Sequence, residues 1–223
     1  MKAMILAAGK GERMRPLTLD TPKPLLEAGG KSLIAHHLER LAAAGFTNLV
    51  INHAWLGEKI ESALGSGQQY GVNITWSREG EPLETAGGII KALPLLSDDC
   101  FLCVNSDIWT DYPFSNLPPV DGQDLLARLV LVNNPPQHPE GDFVLDQGLV
   151  REPRAGERAY TYSGIAVYHP ALFAGVIPGK QSIVPLLKAA MARGQVGGEI
   201  YTGQWFDIGT PERLAALDAL LQQ

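Results

Sequence analysis

The chain has 223 residues, 45% of them hydrophobic and 19% charged, which is enough apolar material for a sizeable core. Its net charge of −6 argues against a nucleic-acid partner, so a site for an anionic substrate has to gather its cations locally. A run of about 18 apolar residues is missing, and the apolar start is short and soon charged, so neither a membrane helix nor a secretory leader is expected, and a cytoplasmic protein is.

The first apolar run, residues 4–6, ends in Ala7-Ala8-Gly9-Lys10-Gly11-Glu12-Arg13, and Thr21-Pro22-Lys23-Pro24 follows. This reads as a strand running into a polyphosphate cradle. Glycine lets backbone N–H groups approach oxygens closely, and the cations neutralise charge. The segment is not a dinucleotide fingerprint, which needs a third glycine, nor a G-x-x-x-x-G-K-[ST] loop. Leu33, Ile34, His37, Leu38 and Leu41 recur at helical spacing over residues 33–44, with Gly45 as the stop. Residues 49–52, 73–76 and 101–105 read as strands, and residues 55–64 and 86–95 as helices, the latter with Thr85 as a cap. This alternation predicts an α/β fold: a Rossmann-like, open, mostly parallel sheet with helices on both faces. Ligands of such sheets sit beyond the carboxyl ends of the strands, which puts residues 7–15 and 105–107 at one edge.

Beyond Asp111 the pattern turns strand-like, at residues 129–132, 143–146, 149–151 and 160–168. Pro118-Pro119 and Pro135-Pro136 interrupt it, and Asp146-Gln147-Gly148 suggests a hairpin turn. Helices return at residues 183–193 and 211–221. With no linker in view, the expectation is a single domain, in which residues 1–111 bind nucleotide and residues 112–223 complete the pocket. Cys100 and Cys103 lie three apart on an apolar strand and so face opposite sides, which suits core packing. His36, His37, His53, His138 and His169 show no ligand spacing and are expected to be structural or at the surface. The Asn73 sequon is taken as incidental.

Two carboxylates stand out. Asp107 lies just beyond a buried strand, and Asp207 is flanked by Trp205, Phe206 and Ile208. Hard cations such as Mg²⁺ take oxygen ligands, and two such aspartates beside a phosphate cradle suit a metal site. No Ser/His/Asp constellation and no general base is evident.

The pattern A-A-G-x-G-x-R-M-x-P-x-T followed by P-K-P resembles the signature of the sugar-phosphate nucleotidyltransferases. The resemblance implies that a nucleoside triphosphate and a sugar 1-phosphate give a nucleoside-diphosphate sugar and pyrophosphate. It implies Mg²⁺ on Asp107 and Asp207, which match the family's G-D and W-x-D-x-G-T aspartates, with Ser106 in place of the usual glycine. Arg13 and Lys23 would join the aspartates in catalysis, Lys23 at the α-phosphate and Arg13 at the departing pyrophosphate. The nucleotide would also meet Ala7, Ala8, Gly9, Gly11, Glu12, Glu81, Thr85, Ala86, Gly87 and Asn105. The sugar phosphate would meet Gly141, Asp142, Glu152, Ser163 and Gly164. Pro153 stands where the family's sugar-phosphate lysine would be, leaving Arg151 or Arg154 as substitutes. Residues 50–57 and 79–85 are most similar to uridylyltransferase members, so UTP is the expected nucleotide, with mannose-1-phosphate guanylyltransferases as the alternative. A non-catalytic sensor fits less well, because Arg13, Lys23, Asp107 and Asp207 are all present. A monomer or small homo-oligomer without nucleic-acid or membrane partners is implied.

Overall fold

The computed structural model describes residues 1–96 and 99–222. The strands and helices, in chain order, are β1 (Ala3–Leu6), β2 (Glu27–Ala28), β3 (Lys31–Ser32), α1 (Leu33–Ala43), β4 (Asn48–His53), α2 (Gly57–Leu64), β5 (Asn73–Arg78), α3 (Glu84–Ala92), β6 (Phe101–Asn105) and β7 (Ile108–Thr110). The second half adds β8 (Ala127–Val132), β9 (Val144–Asp146), β10 (Leu149–Arg151), β11 (Thr161–Tyr168), α4 (Val184–Met191), β12 (Val196–Tyr201), β13 (Trp205–Asp207) and α5 (Pro211–Leu221). Nine strands form one sheet in the order β5-β4-β1-β6-β11-β8-β12-β10-β9. Strands β5, β4, β1 and β6 are parallel, and β8 and β12 are parallel to each other. Strand β11 is antiparallel to both β6 and β8, so β6 and β8 point their carboxyl ends to one edge.

Alternation along β1 explains the layers. Ala3 and Ile5 pack with Ile34, Leu38 and Leu41 of α1 and Ile60 and Leu64 of α2. Met4, on the opposite face, packs with Ala86 and Ile89 of α3 and Leu187 and Ala190 of α4. Helix α5 covers neither face. Its Leu214 and Leu217 join Met14, Leu33, Trp109 and Ile208 in a third cluster. That cluster anchors the loop after β1 to the end of β13. Among the described residues no helix is long and apolar enough to cross a membrane.

Helix α1 is capped by Ser32, whose Oγ accepts from the Ala35 N–H, and Gly45 at φ +86° follows its end. Helix α2 starts at Gly57, two residues later than the pattern suggested, because Leu56 takes a left-handed φ of 50°. A Cβ at Gly57 would overlap the His53 ring, so close packing sets this start. The Asp146-Gln147-Gly148 hairpin forms as expected, with positive φ at Gln147 and Gly148. Cys100 and Cys103 are free thiols in the core, and burial pushes the Cys103 thiol up. Strand β12 is absent from the sequence reading because Gly197-Gly198 breaks its apolar alternation. Gly198 is needed there, since a Cβ would overlap Val150 of β10.

Candidate active site

The loop after β1 turns at Gly11, whose φ of +62° is left-handed. A Cβ there would lie 3.0 Å from Thr18 Cγ2 and 3.2 Å from Lys23 Cβ, so the fold calls for glycine. Thr18 Oγ1 donates to the Gly11 carbonyl at 2.7 Å and fixes the turn. This loop lines a cavity of about 590 Å³ with Gly9, Gly11, Glu12, Arg13, Lys23, Glu81 and Asp107. A second cavity, about 340 Å³, lies over the ends of β1, β4 and β6 and is lined by Ala7, Ala8, Gly9, Asn52, Thr85 and Asn105. Gly9, Lys23, Pro82, Asp107 and Lys180 line both cavities and mark their junction. Lys23 is buried there, and its Nζ donates to Asp107 Oδ2 at 2.8 Å.

Strands β7 and β13 bring the backbones of the two aspartates to neighbouring positions across 100 positions of sequence, Asp107 lining the first two cavities and Asp207 a third. Asp207 is registered against Ile108, and the Ile208 N–H donates to the Asp107 carbonyl at 2.8 Å. Each carboxylate carries a cation: Lys23 on Asp107, and Arg213 of α5 on Asp207. Two hard oxygen donors on neighbouring strands suit a divalent cation that completes its shell with substrate oxygens and water. No cluster of three or more His, Cys, Asp or Glu forms among the described residues, so a metal held here would rest on these two. Asp207 and Arg213 line a third cavity of about 390 Å³, beyond the ends of β8 and β12.

The amino end of α3 corrects one expectation. Thr85 does not cap it. The helix begins at Glu84, with no side-chain cap. The Gln181 carbonyl accepts from the Ala86 and Gly87 N–H groups at 3.1 and 3.2 Å, and the Gln181 N–H donates to the Leu83 carbonyl at 2.9 Å. A strap from the second half of the chain thus satisfies the orphan donors. The space a Gly87 side chain would need is filled by the Gly179 carbonyl, so this glycine admits the strap. The strap also delivers Lys180 to the cavity junction, where the nearest carboxylate, Glu84, is 3.9 Å away. Below, Asn52 accepts from the Ala7 N–H at 2.9 Å and donates to Glu79 Oε1 at 2.6 Å, while Glu79 Oε2 accepts from the Leu83 N–H at 2.9 Å. This relay ties β1, β4, β5 and α3 into one floor. Asn52, Glu79 and Lys180 were not identified from the sequence, because only strand order and the strap bring them here, and Arg213 was not because only the packing of α5 brings it to Asp207.

Of the residues named for the sugar phosphate, Ser163 and Gly164 form a bulge in β11. The Ser163 carbonyl accepts from Trp205 Nε1 at 2.9 Å, and Gly164, at φ +82°, lies against Asn105. Gly141 turns at φ +69°, and the Asp142 carboxylate accepts from the Tyr162 N–H at 2.8 Å. Glu152 pairs with Lys188 on α4. Arg151 is committed to Glu157 at 2.6 Å and Asp146 at 3.2 Å, and the Arg151 guanidinium holds the Glu157 carboxyl down to about 2. That pairing leaves Arg151 poorly placed to replace the missing lysine.

His37 props the catalytic edge from behind. Its Nε2–H donates at 2.8 Å to the carbonyl of Ile108, the residue after Asp107, and its Nδ1 is buried with no hydrogen-bond partner among the described residues. Burial drives its pKa down to about 4. The unfolded chain therefore binds a proton that the folded chain refuses between about pH 6.5 and 4, so stability falls as pH is lowered across that window. The full loss is on the order of 3 kcal/mol. Urea unfolding at pH 7 and at pH 4.5 should show it, and His37→Gln should flatten the difference. An unchanged slope in that variant would reject His37 as the source.

Residues 2–141 match the family described as Nucleotidyl transferase. The chain belongs to that family. An N-acetylmuramate alpha-1-phosphate uridylyltransferase of Neisseria meningitidis serogroup B is 51% identical, over 99% of this chain and 98% of that protein. One of the same description from Caulobacter vibrioides is 37% identical, over 99% and 97%. A solved structure from Bacillus anthracis, assigned as a glucose-1-phosphate thymidylyltransferase in complex with a sucrose, superposes with a TM-score of 0.85 at 25% identity, covering 100% of this chain and 96% of that one. The nucleotidyl transferase fold expected from the sequence is thus the fold found, and the chain is an enzyme of that class.

Proposed function

We propose that this nucleotidyl transferase moves UMP from UTP to N-acetylmuramate α-1-phosphate, giving UDP-N-acetylmuramate and pyrophosphate, in the reuse of cell-wall sugar. The observation that carries the chemistry is the junction of the two cavities, where Lys23, Lys180 and Asp107 meet between a nucleoside-sized space and a glycine-lined phosphate loop. The nucleotide is supported by the end-to-end similarity to the Neisseria uridylyltransferase.

Asp107 and Asp207 would hold Mg²⁺, whose chemistry when bound is to withdraw charge from the phosphates it touches. The acceptor oxygen is already anionic near neutral pH, so no side chain has to remove a proton. What the chain's own residues do is place and neutralise. Ala7, Ala8 and Asn105 would face the nucleoside, with Glu81 and Thr85 at the rim. Lys23, kept in place by Asp107, would meet the α-phosphate, and Gly9, Gly11, Glu12 and Arg13 the outer phosphates. Gly141, Asp142, Ser163 and Gly164 would shape the sugar side, with Glu152 more distant on its ion pair. The two halves, residues 1–111 and 112–223, work as one unit, in a cytoplasmic monomer or small homo-oligomer.

The test is pyrophosphate release from UTP, GTP, dTTP, CTP and ATP against the 1-phosphates of N-acetylmuramate, N-acetylglucosamine, mannose and glucose. UTP with N-acetylmuramate α-1-phosphate should dominate. Dominance of GTP with mannose 1-phosphate would overturn the substrate assignment, and no release with any pair would overturn the activity. Lys180 gives a narrower prediction. Lys180→Ala should raise the KM for the triphosphate about tenfold, the worth of one charge-assisted hydrogen bond, and Lys180→Arg should recover most of it. Initial rates across nucleotide concentration check this, and an unchanged KM would remove Lys180 from the site.

A further inference from the structure

Gly209 shows where two arginines meet. A Cβ on Gly209 would overlap Nη2 of Arg213 and lie 3.2 Å from Nη2 of Arg13, so both guanidinium groups crowd the same face of one Cα. They come from opposite ends of the chain. Arg13 is on the loop after β1, and Arg213 is in the first turn of α5. Arg13 has no hydrogen-bond or ion-pair partner among the described residues. Arg213 spends Nη1 on Asp207, and its Nη2 lies against Gly209 on the side that Arg13 also approaches.

This arrangement is electrostatically unfavourable by itself. Two like charges lie side by side, and one of them sits at the positive end of a helix. The carboxylate in direct contact with the pair is Asp207, on Arg213. What would stabilise the pair is a polyanion with oxygens for both guanidinium forks. Position says which one. Lys23 and Lys180 stand at the junction of the nucleoside and phosphate cavities, whereas Arg13 and Gly209 line only the phosphate cavity, and Arg213 lines the adjoining third cavity with its Nη2 against Gly209. A triphosphate running outward from the nucleoside reaches the lysines first and Arg13 last, where Gly209 separates it from Arg213.

We infer that Arg213 is the second arm of a two-arginine clamp, with Arg13, on the two outer phosphates that leave as pyrophosphate. The inference rests on the nucleotidyl-transfer reading above. In that reaction an acceptor phosphate oxygen forms a bond to the α-phosphorus. The bond from the α-phosphorus to the bridging oxygen breaks, and its electron pair departs with pyrophosphate. The negative charge gained by the departing group develops between the two guanidinium groups. Asp207 holds Arg213 in position, and the missing side chain of Gly209 is what lets the arms converge.

Calorimetric titration with inorganic pyrophosphate, in buffer with a metal chelator, tests this apart from turnover. Arg213→Gln keeps a hydrogen-bond donor for Asp207 and removes the charge, and Arg213→Lys restores the charge without the fork. Pyrophosphate binding should weaken at least tenfold in Arg213→Gln and by threefold or more in Arg213→Lys, with the KM for the sugar 1-phosphate unchanged. Binding within twofold of the unmodified protein in Arg213→Gln would overturn the clamp. So would a raised KM for the sugar 1-phosphate with intact pyrophosphate binding, which would move Arg213 to the acceptor. If Arg213→Gln does not fold, Arg213→Lys decides alone, and wild-type affinity there overturns the inference. Turnover by the unmodified protein is read separately by pyrophosphate release. Turnover without pyrophosphate binding rejects the clamp alone, and absence of both rejects the activity as well.

Discussion

An Asp207→Asn variant is expected to lose about 10²–10³-fold in nucleotidyl transfer, read as pyrophosphate release, while its melting temperature moves by only a few degrees. The side chain is isosteric and partly exposed, and β13 pairs with β7 through its backbone, so the fold has little need of the charge. The site does need it. Asp207 is one of two carboxylates carried on the paired β7–β13 segments, and it neutralises Arg213 next to Arg13. The amide removes the negative charge from the place where cations and phosphates have to be assembled together. The half-saturating Mg²⁺ concentration should rise in parallel. Activity that survives within a few-fold, with Mg²⁺ dependence unchanged, would mean that Asp207 serves the fold alone.

A comparable loss, again about 10²–10³-fold, is expected for Lys23→Ala, and it should fall on kcat more than on the KM for the triphosphate. Lys23 is buried at the cavity junction, on a short turn held between Pro22 and Pro24, with its ammonium 2.8 Å from Asp107. Its placement is set before any substrate arrives, which is what transition-state stabilisation requires. Losing it would remove the positive charge proposed for the reacting phosphorus and leave Asp107 without Lys23. Steady-state kinetics over both substrates separates the two constants, and a near-normal kcat would remove Lys23 from the mechanism. Lys180, on its strap and weakly paired, is expected to act on binding instead.

How far these residues could be read from the chain differs with the kind of signal. The loop after β1 was legible because local chemistry writes it: an apolar strand, glycines that permit a left-handed turn at Gly11, and nearby cations. The sheet and its two helical layers were legible from apolar periodicity, which is a property of short segments. Asp107 and Asp207 could be named one by one, each by its apolar surroundings, and the register of β7 on β13 is what puts them next to each other. The reading of Thr85 as a helix cap failed for a related reason. Local propensity knows nothing of a strap 96 residues later whose carbonyl satisfies the same N–H groups.

By itself, the sequence determined the glycine- and cation-bearing loop after the first strand, the α/β alternation and the pair of candidate carboxylates, because each is a matter of residue type at short range. Tertiary structure alone decided which groups share the site. The Asn52–Glu79 relay needs the order of β1, β4 and β5. Lys180 needs the strap over α3, and Arg213 needs α5 packed through Leu214 and Leu217 against Met14 and Ile208. Each of these contacts joins segments far apart in the chain, and only the burial of apolar surface in a common core fixes their distances to the precision that charge neutralisation needs.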